Sequence, residues 1–181
     1  MDDLKQLARL IDTRNQIERE ITALIGRPAA IGHIGEYIAS RVFNIALEES
    51  ASHKSSDGYF CDEPLKGHTV NIKWYAFQEG ILDITPEFLP DDYLVLTGSK
   101  SGAMTSRDHV RPWTIEKVFL FDAHLLAKEL KQTGVKMGIA TSVRQALWEK
   151  AEIYPVDQNE LLHLSQDQRD ALALFRWEEP G

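Results

Sequence analysis

Three side chains of this sequence have the types and placement to do chemistry together: Glu36, Asp57 and Lys73. Carboxylates are hard oxygen donors of the kind that hold Mg²⁺ or Mn²⁺. An amine beside such a cation can orient or deprotonate a water, or offset negative charge as it builds in a transition state. Hydrolysis of a phosphodiester needs an activated water, a neutralised phosphate and help for the leaving oxygen, and a bound divalent cation serves all three.

The positioning elements follow from the local sequence. Asp57-Gly58 reads as a tight turn, where glycine lets the backbone approach a ligand closely. His68–Tyr75 carries Val70, Ile72, Trp74 and Tyr75 and reads as a strand. On a strand Asn71 and Lys73 share a face, while Ile72 points to the core and leaves its backbone carbonyl near the site as a further ligand. Glu36 lies on a helix expected from about Gly32 to Leu47. There it falls in the apolar arc, between the directions of Phe43 and Leu47. An ionised acid in that arc is costly unless it is paired or metal-bound; the first helical turn, with its favourable dipole, offers a milder reason for its presence.

Around these residues the expected elements form a mixed sheet flanked by helices. A helix is expected over residues 3–25, packing on the body of the domain, with a dimerising or DNA-sensing arm as the alternative. Its apolar stripe (Leu4, Leu7, Ile11, then Ile17, Ile21, Leu24, Ile25) breaks near Thr13–Asn15, which argues against a long coiled coil. Gly26-Arg27-Pro28 stops it. Short strands are expected at Tyr59–Cys61, Ile81–Ile84, Val118–Phe121 and Val135–Ala140, with Tyr93–Thr97 as a buried central strand. Further helices are expected at Ala123–Lys131, Ser142–Lys150 and Gln166–Phe175, the last opened by a Ser165/Gln168 capping box. The length suits a single domain over 1–181, with a core at about 32–140 and a C-terminal helical part at 141–176.

Residues 98–112 (GSKSGAMTSRDHVRP) form a long polar loop carrying Lys100, Arg107, His109 and Arg111 against one acid, Asp108. It is the best local basic strip for nucleic acid, with Lys100, Arg107 and Arg111 as the phosphate contacts. The net charge of −8 counts against broad, nonspecific coating of DNA, but a metal site needs acids and a local strip suffices. The lone Cys61 forms no internal disulfide, and no apolar run is long enough to span a membrane. A reducing cytoplasm is therefore expected.

The order of helix acid, turn acid and strand lysine resembles the PD-(D/E)xK nuclease superfamily, the restriction-endonuclease-like fold. The resemblance covers roughly residues 32–122. It implies an αβββαβ core, a nuclease acting on DNA with Mg²⁺ or Mn²⁺, and catalytic positions at Glu36, Asp57, Asn71 and Lys73. Glu36, Asp57 and the Ile72 carbonyl would be the metal ligands. This sequence departs from the pattern at Asn71, which stands where the family places an acid; its amide oxygen can bind a hard cation but brings no charge. The run GHIGEYIASRVF…VNIKWY also resembles uncharacterised bacterial proteins. The alternative is a nuclease fold without catalysis, an interaction module in a bacterial or phage defence or DNA-processing system that binds a protein partner or a second copy. Other constellations are weaker. His53, Asp57 and His68 lack compact zinc-ligand spacing. Cys61 reads as a strand cysteine rather than a nucleophile, and Trp74, Tyr75, Trp113 and Trp148 read mainly as core, with Arg111 and Trp113 able to line a groove.

Overall fold

The computed structural model describes residues 2–48, 56–100 and 111–176. In chain order the elements are α1 (Asp2–Ile25), α2 (Ile31–Phe43), β1 (Ile45–Leu47), β2 (Gly58–Phe60), β3 (Thr69–Tyr75), β4 (Ile81–Leu82), β5 (Asp92–Thr97), β6 (Lys117–Asp122), α3 (Ala123–Gln132), β7 (Thr141–Ser142), α4 (Gln145–Ala151), β8 (Glu152–Tyr154) and α5 (Gln166–Ala173). Six strands form one mixed sheet in the order β1-β2-β3-β5-β6-β8, and β4 pairs with β7 apart from it. Only the β3–β5 pairing is parallel within the main sheet.

The register follows from the hydrophobic pattern. β3 alternates, with Val70, Ile72 and Trp74 buried. They face a core shared with Ile38, Ala39 and Phe43 of α2 and Leu172 of α5. β5 is buried at every position because both of its faces are covered. Leu94 and Leu96 join the α2 side, whereas Tyr93 and Val95 join the other side with Phe119, Phe121 and Trp148. The starts of β3 and β5 are tied together: the Thr69 amide and hydroxyl both donate to Asp91 at 2.8 Å. Those two bonds outweigh burial and hold the Asp91 carboxyl below its ordinary range.

Several expectations change. The second helix ends at Phe43 rather than Leu47, because Asn44 adopts a left-handed conformation (φ 49°) and turns the chain into β1. The parallel crossover from β3 to β5 carries β4 and irregular chain but no helix, so the element order departs from αβββαβ. The expected strand at Val135–Ala140 reduces to the two residues of β7 further on. β8 and α5 contribute to the main sheet and its core, which therefore extends well beyond residue 140. α1 does not pack on the body as a buried helix; none of its residues is buried. No described helix is long and apolar enough to cross a membrane.

Candidate active site at the β2–β3 edge

β2 is too short to cover β3. Its register runs Tyr59↔Thr69 and Gly58↔Val70, and then the strands part. Asp57 is the next residue. Its backbone N–H still donates to the Val70 carbonyl at 2.8 Å. Its carboxylate then accepts from the Ile72 N–H at 2.6 Å, in place of the missing strand. A side chain thus stands in for a ladder partner, and among the described residues the far half of β3 has no strand paired with it on that side. Because the N–H and C=O of one strand residue point the same way, the Ile72 carbonyl faces the same side.

Gly58 makes this splaying possible. Any Cβ there would run into the Ala46 carbonyl oxygen of β1, so only glycine lets the three strands lie this close immediately beside Asp57. On α2, Gly35 plays a similar part: a Cβ would come within 3.0 Å of Trp74 Cβ. Its absence lets α2 sit down on β3 and brings the neighbouring Glu36 to the edge.

The electrostatics show which groups gather. Burial pushes the Asp57 carboxyl above its ordinary range, against the lowering effect of the Ile72 N–H; Glu36 pushes it further up, while Lys73 and Arg27 pull it down. Asp57 therefore feels the charges of both Glu36 and Lys73. Carrying the β2–β3 register one step further sets Asp57 opposite Asn71, on the strand face that also holds Lys73. Asn71 has a buried Oδ1 with no hydrogen-bond partner among the described residues. An orphaned buried oxygen costs about 1–3 kcal/mol unless something binds it.

Arg27 completes the cluster, and sequence reasoning missed it. Its guanidinium is ion-paired with Glu36, whose side chain is 16% exposed. In the sequence Arg27 stands only as part of a helix stop. An apolar-arc acid nine positions on was the available signal, since such an acid demands a partner.

The donor set fits a hard cation in kind. Glu36 and Asp57 supply two carboxylates, Asn71 an unused amide oxygen and Ile72 a carbonyl, and Mg²⁺ is commonly held by one or two carboxylates with the remaining positions left to water and phosphate. No group of three or more His, Cys, Asp or Glu suited to a metal occurs among the described residues. Of the His53, Asp57 and His68 set, His68 pairs with Asp92 at 2.9 Å, and His53 lies outside the described residues.

Of the expected basic strip, only Lys100 and Arg111 are among the described residues. Arg107 and His109 lie outside the described residues. Lys100 and Arg111 stand beyond the C-terminal ends of β3 and β5, where Gln78 bridges to Lys100. Lys100 reaches Gln145 at 3.5 Å. Arg111 lies over the Phe77 ring, 5.6 Å from its centroid, and 4.0 Å from Glu79. Trp74 and Trp148 are core residues, but Trp113 is 47% exposed and tilted against Trp74 at 6.3 Å. No protein-family model and no curated protein matches the chain.

Proposed function

We propose that this protein is a metal-dependent nuclease hydrolysing phosphodiester bonds in DNA through a degenerate PD-(D/E)xK site. The observation that supports it is the β2–β3 edge, where Asp57 replaces a strand partner within electrostatic reach of Glu36 and Lys73, on the strand face where Asn71 keeps an unused buried oxygen. Glu36, Asp57, Asn71 Oδ1 and the Ile72 carbonyl would hold Mg²⁺ or Mn²⁺. Such a cation, when bound, acidifies water and neutralises phosphate charge.

The remaining roles belong to the chain itself. The Lys73 amine takes the proton of the attacking water or donates to the phosphate oxygens as charge develops. Arg27, once released from Glu36, offers a planar guanidinium to a phosphate. Exposed Trp113 is placed to stack on an unpaired or splayed base. Lys100 and Arg111 contact the backbone further along. Incubation of plasmid DNA and of RNA with Mg²⁺ or Mn²⁺, beside Lys73→Ala, tests this reading. Substitution of the lysine is expected to slow DNA cleavage about 10²–10⁴-fold. Equal cutting by both proteins, or none by the parent, removes the proposal.

One observation favours a second reading. The Arg27–Glu36 pair neutralises the helix acid from within the chain, so the fold closes its charge balance without a cation. That suits a non-catalytic interaction module with a protein partner. Calorimetry separates the two readings: Mn²⁺ binding that disappears in Glu36→Gln and in Asp57→Asn supports the nuclease, and a folded parent that binds no Mn²⁺ supports the module.

A further inference from the structure

α1 is a 24-residue helix in which nothing is buried. Isolated helices are marginal in water, and helices in proteins are generally held by an apolar face packed on something. α1 has such a face. Leu7, Leu10, Arg14, Ile17, Ile21 and Leu24 follow one another in alternating steps of three and four residues, the spacing of a coiled-coil seam. Leu7, Leu10, Ile17 and Leu24 are 52–71% exposed. Ile21, near the C-terminal end of the seam, is half-buried, and Pro28 and Ala29 form a groove with Asn15, Glu18, Arg19, Thr22 and Ala23, mostly on the side away from that seam. The interruption near the middle of the stripe is thus one seam position, Arg14, rather than the end of the repeat.

We infer that α1 pairs with α1 of a second copy in an antiparallel two-helix coil. Charge decides both the occupant and the direction. A parallel pair would set Arg14 against the partner's Arg14 inside the seam, desolvating two like charges. The antiparallel pair sets every seam residue against a different one. Leu7 meets the partner's Leu24, Leu10 meets the partner's Ile21, and Arg14 meets the partner's Ile17 with the partner's Glu18 beside it. Within one helix Arg14 already pairs with Glu18 at 2.9 Å, so the same acid chemistry serves the arginine across the interface. The arrangement is self-complementary, as a twofold dimer requires. A lone polar seam residue of this kind fixes register and direction at some cost in stability. At 1.5 Å per residue the rod is about 36 Å long, and its two bodies leave from opposite ends.

Sedimentation equilibrium and disulfide trapping on the full chain test the inference. The parent is expected to sediment as a dimer, and Ile17→Glu as a monomer whose main sheet still unfolds cooperatively. In a Cys61→Ser background, protein carrying Leu7→Cys is mixed with protein carrying Leu24→Cys and oxidised. The mixed 7–24 disulfide is expected to dominate, with neither protein cross-linking alone. A parent that stays monomeric at about 100 µM, where even weak specific dimers assemble, overturns the inference. So does a dimer indifferent to Ile17→Glu, or one in which Leu7→Cys links to itself.

Discussion

Two carboxylates are drawn into the sheet beside β3, and they are handled differently. Asp92, at the start of β5, is 2% exposed. Asp57, at the edge, is half-buried. Burial holds both above the ordinary carboxylate range. Asp92 is closed in by its own neighbourhood, with His68 bonded to it and the Thr69–Asp91 lock alongside. Asp57 has spent one oxygen on the Ile72 N–H, and it sits among Glu36, Lys73 and Arg27 with Asn71 Oδ1 left over. The first is a completed structural knot. The second carries unused donors at a place where the sheet opens. That contrast, rather than burial or charge alone, is what the chemical role proposed for Asp57 rests on.

Asp57→Asn tests the contrast most severely. It is expected to cut DNA cleavage about 10²–10⁴-fold while leaving the fold intact, because the amide oxygen can still accept from Ile72. Its stability should depend on pH in a defined direction. The folded state holds the Asp57 proton more tightly than the unfolded state does. Parental stability from this group is therefore full below the ordinary value of 3.8 and falls as pH rises through the raised folded value. In chelator, Asp57→Asn should gain Tm relative to the parent as pH is raised above the ordinary value of 3.8. A constant difference across that range would show that Asp57 carries no burial penalty.

At the other acid the expectation inverts. His68→Ala removes the partner of a buried carboxylate and is expected to destabilise by about 1–3 kcal/mol, read by denaturant midpoint, with cleavage per folded molecule unchanged. Loss of activity at full stability would move the chemistry to that end of β3. A smaller effect sharpens the edge itself. Asn71→Asp restores charge where an amide oxygen is orphaned, and about tenfold tighter Mn²⁺ binding is expected from the added carboxylate, measured by calorimetry. An unchanged affinity would place Asn71 outside the donor set.

Much of this was legible in the residues, and the omissions have physical causes. β3, β5, α2 and the α5 capping box carry periodic or capped signals that tertiary packing reinforces rather than opposes. β1 and β8 were invisible, because three residues hold no period; they exist only as additions to a sheet already formed. The β3–β5 crossover looked as though it should hold a helix only by resemblance; its own residues, rich in turn signals, give β4 and loops. Glu36, Asn71 and Lys73 were legible as candidates because an acid in an apolar arc and a polar pair on a strand face are anomalies in one dimension. Arg27 was not, since its partner lies across a helix start and only folding brings them together.

The half of β3 that pairs with no strand beyond Asp57 among the described residues has a bearing on solubility as well. A bare strand flank recruits strands from other molecules, and proteins discourage this with charges placed on the rim. Here the Asp57 carboxylate plugs the Ile72 N–H and Lys73 is the next residue along β3, so the groups proposed to act on a phosphate would also guard against cross-chain stacking. A variant stripped of both charges should clump into insoluble aggregates more readily than its melting point alone would suggest.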